Sequence, residues 1–111
     1  MELKTAIWAS ALVRRAQSGG ASAFVARKGD PDAGAVLVKV ATLDGRARLY
    51  APARNPEGER VWLDLSSGPL GVEERAVEEH AMRRAERDPD LWIIDIEDRA
   101  GRHFLTEPVE G

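Results

Sequence analysis

Two Asp-Pro-Asp segments, each followed by a run of apolar, β-forming residues, constrain the fold more than any other feature of this sequence. The first segment, 30–32, precedes the run 35–40, and the second, 88–90, precedes the run 91–96. Proline fixes φ, and aspartate side chains accept hydrogen bonds from the backbone two residues on, so each segment is typical of a tight turn. The sequence therefore predicts two central strands that each begin directly after such a turn.

Apolar periodicity predicts two helices and at least five strands. Helical spacing covers 6–18, with Thr5 as a candidate N-cap, and a second helix is predicted over 72–87, where acidic residues come first and arginines last. The second helix alone can return the chain for a parallel strand pairing. The predicted strands cover 23–28, 35–43, 46–51, 60–65 and 91–98, and 103–105 is a candidate to pair back.

The dipeptide Asp44-Gly45 lies between two of these strands and is typical of a two-residue hairpin turn. Such a loop would place Val40 opposite Leu49 and Lys39 opposite Tyr50. Because side chains alternate between faces, one face becomes a core face and the other a mixed face. The predicted core face holds Val36, Val38, Val40, Ala47, Leu49 and Ala51. The predicted mixed face holds Leu37, Lys39, Ala41, Leu43, Arg46, Arg48 and Tyr50.

The length of 111 residues is that of one domain. With 43% hydrophobic and 32% charged residues, the chain has the composition of a folded protein. Short connections between strands favour an α+β fold, with a mainly antiparallel sheet of about five strands and the two helices packed on one face. We predict a single domain over 1–111 whose tail, from about Thr106, is frayed.

Several classes of function are disfavoured by what the sequence lacks. There is no cysteine, which excludes disulfides and thiolate chemistry. No apolar run reaches the ~18 residues of a membrane span, and the glycines match neither a P-loop nor a dinucleotide fingerprint. The formal net charge of -3 argues against a dedicated nucleic-acid binder. We therefore expect a cytoplasmic protein with no cofactor and with neither a membrane nor a nucleic acid as partner.

Asp95 and Glu97 lie two residues apart on the last long strand and therefore share a face, with carboxylates roughly 6–7 Å apart. That spacing suits an acid/base pair or half of a metal site. His80 and His103 are the only histidines and would complete such a site if the fold brings them there. The competing interpretation is a solvent-facing strand with both histidines in ordinary packing positions.

Arg46, Arg48 and Tyr50 share the mixed face, and cations beside a stacking aromatic are typical of RNA-binding sheets. A second packing layer or a dimer contact is the alternative use of this face. Trp62 shares its own face with charged neighbours, so we expect it to be partly exposed beside the proline-containing loop 51–59. An exposed tryptophan there would anchor a partner.

Short segments spread over nearly the whole chain occur here in combination. They are Leu3-Lys4-Thr5 with Trp8 and Arg14-Arg15, Arg27-Lys28-Gly29-Asp30, the run from Ala33 to Val40, Asp44-Gly45 with Leu49-Tyr50, the run from Asp88 to Trp92, and Glu97-Asp98-Arg99. In this combination the sequence resembles a small bacterial family known as domain of unknown function 1491. The resemblance implies a stand-alone bacterial domain without an assigned activity, and it supplies no catalytic residues.

Without a recognisable catalytic motif, the sequence favours a non-catalytic binding or interaction module that pairs with itself as a homodimer or with another protein. Two alternatives stay open. A small metal-dependent, hydrolase-like enzyme would use Asp95, Glu97 and a histidine. A weak RNA-binding sheet would use Arg46, Arg48 and Tyr50.

Overall fold

The computed structural model describes residues 3–111; Met1 and Glu2, which belong to the predicted domain, lie outside the described residues. Within them the chain forms two helices, six strands and a short 3-10 helix, Leu65–Ser67. The helices are α1 (Thr5–Ser18) and α2 (Glu74–Arg87). The strands are β1 (Ser22–Arg27), β2 (Val36–Ala41), β3 (Ala47–Arg54), β4 (Arg60–Asp64), β5 (Trp92–Glu97) and β6 (Val109–Glu110). None of the helices in this part of the chain is long and apolar enough to cross a membrane.

The strands form one mixed sheet in the order β1-β5-β2-β3-β4-β6. β2 and β5 are parallel, as are β4 and β6, and the remaining neighbours are antiparallel. The predicted α+β class is confirmed, and a crossover through α2 does lead to the parallel β2–β5 pairing. The prediction that α2 alone can return the chain for a parallel pairing is wrong, because β6 pairs in parallel with β4 and the described residues between β5 and β6 form no helix. The described sheet has six strands rather than about five, because the two-residue strand β6 carries almost no pattern in the sequence.

The two Asp-Pro-Asp segments lie side by side and start the parallel central strands in register. The backbone N–H of Asp30 donates to the carbonyl of Asp90 at 3.0 Å, and the indole N–H of Trp92 donates to the carbonyl of Asp30 at 2.7 Å. A Cβ at Gly34 would overlap the carbonyl oxygen of Asp90, so this approach requires glycine. The predicted central strands therefore begin where the sequence indicates, with Val36 opposite Trp92.

The two helices lie on opposite faces of the sheet, so the prediction of both helices on one face is wrong. Every residue of β2 is buried. Val36, Val38 and Val40 pack in the core beneath α1, whereas Leu37 belongs to the core beneath α2. A strand that is apolar on both faces needs a covering layer on each side. α1 lies over β1 and β5, and α2 lies over β3 and β2.

The register of the β2–β3 hairpin differs by one residue from the predicted one. Lys39 is opposite Leu49, because the loop has three residues rather than two. Leu43 takes a left-handed φ of 64°, and the carboxylate of Asp44 accepts hydrogen bonds from the Thr42 hydroxyl and the Arg46 backbone N–H, which stabilise the longer loop. A shift of one residue moves each side chain to the other face. Ala47, Leu49 and Ala51 therefore lie under α2 rather than beside the valines of β2.

The C-terminal tail runs along β4, whereas the sequence predicts that it is frayed. The backbone N–H of Trp62 donates to the carbonyl of Pro108 at 2.8 Å. Val109 and Glu110 then pair with Trp62 and Leu63 in parallel. The tail thus completes the sheet edge and covers one face of β4.

Candidate functional site

Two tryptophans from distant parts of the chain stack on each other where α1 meets β4. The ring centroids of Trp8 and Trp62 lie 5.4 Å apart, with 24° between the ring planes, which is a favourable arrangement for an aromatic pair. The sequence predicts a partly exposed Trp62, but its exposed fraction is only 7%. That prediction is wrong because Trp8 and the tail cover the ring, and Trp62 forms the inner half of a two-ring wall.

The carboxylate of Glu107 holds this wall in place. The indole N–H of Trp62 donates to Oε1 of Glu107 at 3.0 Å. Burial alone would raise the pKa of Glu107, but this hydrogen bond, together with the nearby Trp8 indole and the charge of Arg15, holds its pKa below the ordinary glutamate value. Glu107 is therefore ionised at neutral pH and fixes the orientation of the Trp62 indole, against which Trp8 stacks.

An open cleft of about 820 Å³ lies beside the stacked rings; we call it the tryptophan cleft. Its walls are the start of α1, the loop before β2, and the adjoining ends of β3 and β4. Its apolar lining includes Trp8, Trp62, Pro52, Val36 and Val61. Its charged lining consists of Lys4, Asp32, Arg54, Arg60 and Glu107.

The loop before β2 is fixed against the start of α1 and shapes one wall of the cleft. The hydroxyl of Thr5 donates to the carbonyl of Gly34 at 2.9 Å, and the backbone N–H of Ala6 donates to the carbonyl of Pro31 at 2.9 Å. The first N–H groups of a helix have no partner within the helix, so the loop supplies one. Thr5, the predicted N-cap, is the first residue of α1, and its side chain ties the helix to this loop.

Two arginines face each other at the β3–β4 end of the tryptophan cleft. Arg54 and Arg60 are directly opposite in the strand pairing, on the face that carries Trp62. The guanidinium of Arg54 is oriented by a hydrogen bond of 2.8 Å to the carbonyl of Gly58. In the lining as a whole, cationic side chains outnumber acidic ones, although the chain carries a net charge of -3.

The residues of the predicted RNA-binding face are separated or covered. Arg48 forms an ion pair of 2.8 Å with Asp64. Tyr50 is buried, packs edge-on against His103 at 5.1 Å, and has a pKa that burial raises. Arg46 is exposed but lies beyond this cluster, at the end of the hairpin loop. Because Tyr50 is covered, it offers a nucleic-acid base no surface for stacking.

Asp95 and Glu97 lie on the α2 side of the sheet, whereas His103 lies on the α1 side against Tyr50. The Nδ1 of His103 accepts the backbone N–H of Leu105 at 2.9 Å. Burial lowers its pKa, which keeps the ring neutral. Between residues 3 and 111, no three or more histidine, aspartate or glutamate side chains are grouped so that they could hold a metal ion. The fold therefore does not assemble the metal site that the hydrolase interpretation requires.

A buried lysine pairs with Asp95 and explains its position. Lys39 is 7% exposed and lies directly opposite Asp95 in the β2–β5 pairing. Its Nζ is 3.7 Å from the carboxylate of Asp95 and 3.5 Å from that of Glu78 on α2. Burial raises the pKa of Asp95, and the charge of Lys39 opposes that increase. This cluster ties α2 to the two central strands.

Nothing in the sequence marks Trp8, Glu107 and Arg54 as neighbours of Trp62. No spacing rule links these residues, because they meet only once α1, the β3–β4 hairpin and the tail have packed together. Lys39 is different, since a lysine in the middle of an apolar run that is buried on both faces indicates a partner of opposite charge.

The chain matches the model of a family described as protein of unknown function (DUF1491) over residues 3–106. It is 53% identical to a DUF1491 family protein from Caulobacter crescentus CB15, whose crystal structure superposes with a TM-score of 0.89 over 98% of this chain and 100% of the other. An NMR structure of a DUF1491 family protein from the same organism gives 53% identity and a TM-score of 0.86, over 100% of this chain and 99% of the other. A protein from A. tumefaciens is 32% identical, with a TM-score of 0.78 over 100% of this chain and 98% of its own. None of the curated proteins matches the chain.

Proposed function

The chain belongs to the DUF1491 family of proteins of unknown function, and we propose that it is a non-catalytic binding module whose ligand lies in the tryptophan cleft. The observation that carries this proposal is the wall formed by Trp8 and Trp62, whose inner ring, Trp62, is oriented by Glu107 before any ligand arrives. A rigid aromatic wall costs little conformational entropy on binding, and such pre-organisation favours affinity.

The size and lining of the cleft support a small organic ligand. A volume of about 820 Å³ falls within the range of small-molecule sites, which are mostly apolar with a few placed polar groups. The apolar wall suits a planar ring. Arg54 lies in the lining with its guanidinium oriented by the carbonyl of Gly58, so it favours a ligand that also carries a negative charge and is the cation we assign to that charge.

Two naphthalene dyes separate these two contributions. The anionic dye 1-anilinonaphthalene-8-sulfonate and the neutral dye N-phenyl-1-naphthylamine share a ring system but differ in charge. Both are excited by energy transfer from tryptophan, so titrations of each report binding to the protein, and the variants then locate the site. We expect Trp8→Ala to weaken both dyes because it removes half of the wall.

Arg54→Gln tests the charge, with Arg83→Gln as its matched control on the exposed side of α2. A charge-assisted hydrogen bond contributes about 1.5 kcal/mol or more, so Arg54→Gln is expected to weaken the anionic dye about tenfold and leave the neutral dye unchanged. Arg83→Gln should affect neither dye. Equal binding of both dyes to the wild type and to Trp8→Ala would contradict the proposed site. Equal losses for both arginine variants would contradict the assignment of Arg54.

A further inference from the structure

The outer edge of β1 presents backbone groups that can pair with another strand. In the described part of the chain β1 pairs only with β5. The backbone N–H of Trp92 points to β2, so alternation along β5 turns the backbone groups of Asp95 towards β1. Phe24 is opposite Asp95, so the backbone N–H and C=O of Phe24 point towards β5 and pair with Asp95. The N–H and C=O groups of Ala23 and Val25 therefore point outwards from the sheet.

The regular part of this edge contains neither proline nor a charged side chain. Proteins commonly protect an edge strand with prolines or charged side chains. The segment 22–26 contains neither, and its sequence, Ser-Ala-Phe-Val-Ala, favours a strand. Phe24 and Val25 are 50% and 40% exposed, one on each face of the sheet. A bulge follows between Val25 and Arg27, so the regular part of the edge is short.

We propose that a second copy of this chain pairs with this edge, antiparallel and about a two-fold axis through Phe24. Ala23 of each copy would then be opposite Val25 of the other, and the outward groups of these residues would form four backbone hydrogen bonds. The two Phe24 side chains would face each other in a non-hydrogen-bonded pair, where the Cα atoms are about 4.5 Å apart. An isologous contact of this kind is self-complementary.

Charge favours a second copy in this orientation over an unrelated strand. Glu97 lies beside Ser22 at one end of β1, and the exposed Lys28 follows its other end. Antiparallel pairing about Phe24 places Lys28 of each copy at the end of the interface where Ser22 and Glu97 of the other copy lie. Charges of opposite sign therefore lie at each end of the interface, whereas a parallel arrangement would place like charges at the same end.

Gln17 is expected to lower the affinity of this dimer. Its side-chain amide donates to the carbonyl of Ala23 at 3.0 Å and so occupies one of the outward groups. A carbonyl oxygen has two lone pairs and can accept a second donor, but the incoming strand has to share it. The dimer is therefore expected at Kd values of about 1 mM to 1 µM rather than at nanomolar concentrations.

Sedimentation equilibrium over about 10 µM to 1 mM tests the proposal. We expect concentration-dependent dimers of the wild type. Phe24→Lys is expected to be monomeric, because two lysines would face each other across the axis, while its own fold is supported by Asp95 opposite. Val25→Pro is also expected to be monomeric, because it removes an outward N–H that no strand of the monomer uses. Met82→Lys, at a site 57% exposed on α2, is the control and should still dimerise.

Far-UV circular dichroism and urea denaturation of Phe24→Lys and Val25→Pro separate loss of the interface from misfolding. Each variant is expected to keep the wild-type spectrum and a cooperative transition while being monomeric, because the substituted groups lie on the outer edge of β1. A wild type that stays monomeric to about 1 mM overturns the proposal. A wild-type dimer that persists in Phe24→Lys and Val25→Pro overturns it as well, because the interface would then lie elsewhere.

Discussion

Replacing Lys39 with methionine is expected to destabilise the protein, and more so as the pH rises. Methionine retains most of the apolar volume but leaves the carboxylate of Asp95 without its cation, on a side chain that is only 17% exposed. At the observed 3.7 Å, the attraction between the two charges amounts to about 4–5 kcal/mol for an effective dielectric constant of 20. Residual hydration of Asp95 offsets part of this attraction, so we expect Lys39→Met to lower the free energy of unfolding by about 2–3 kcal/mol at about pH 8. The side chain of Glu78 is 57% exposed, so its ion pair with Lys39 contributes little to this destabilisation.

The pH dependence follows from the direction of the pKa shift of Asp95. Its pKa is raised in the folded protein, so the fold binds a proton more readily than the unfolded chain, and this contribution to stability is lost as the pH rises from about 4. Lys39 limits that increase in the pKa. Without Lys39 the pKa rises further, so the loss of stability in Lys39→Met extends to higher pH and shrinks at acidic pH, where Asp95 is protonated.

Urea denaturation followed by tryptophan fluorescence, at about pH 4.5 and about pH 8, measures this effect. The double variant Lys39→Met/Asp95→Asn is the control: it lacks both charges, so it should recover at least half of the loss and show no added pH dependence. A Lys39→Met protein within about 0.5 kcal/mol of the wild type at pH 8 would refute the reasoning. So would a loss of equal size at both pH values.

Three further predictions concern the walls of the tryptophan cleft. Gly34→Ala should lower the free energy of unfolding by about 2 kcal/mol or more, because the added Cβ would overlap the backbone carbonyl of Asp90. Gly68→Ala is the control: Gly68 has room for a Cβ and a negative φ, so its free energy of unfolding in the same urea assay should stay within about 1 kcal/mol of the wild type. Folding lowers the pKa of Glu107, so its ionised carboxylate stabilises the fold above the pKa of the unfolded chain, and this stabilisation is lost as the pH falls. In Glu107→Gln the melting temperature should therefore depend less on pH below about pH 5, as measured by thermal melts. Truncation after Thr106 removes both hydrogen-bond acceptors of Trp62 and should shift its fluorescence to longer wavelength by exposing it to water; an unchanged spectrum would show that the tail does not cover the ring.

Local chemistry decides the elements that the sequence predicts well. Aspartate side chains at 30 and 88 each accept the backbone N–H two residues on, which is how this residue type forms a turn, and the strands after them begin at the predicted positions. The helices are likewise set by apolar spacing within single segments.

The errors arise where one residue or a distant contact decides the outcome. Asp44-Gly45 suits a two-residue turn, but the left-handed Leu43 lengthens the loop, and this single residue reverses the faces of β3. The prediction of both helices on one face follows from the short connections between strands, and it is wrong because β2 is apolar on both faces and needs a helix on each. The tryptophan cleft is harder to predict than the fold. Glu107 reaches Trp62 only because the C-terminal tail pairs with β4, and a strand of two residues has almost no recognisable sequence pattern.

The most direct test of the binding proposal uses the three tryptophans as internal reporters. Each gives one indole signal in a ¹⁵N–¹H correlation spectrum; Trp8 and Trp62 line the tryptophan cleft, while the indole of Trp92 is bonded to the carbonyl of Asp30 outside it. On titration with 1-anilinonaphthalene-8-sulfonate, we expect the Trp8 and Trp62 signals to shift saturably and by more than the Trp92 signal. If neither the Trp8 nor the Trp62 signal moves, or if the Trp92 signal moves most, the ligand does not lie in this cleft and the binding proposal is contradicted.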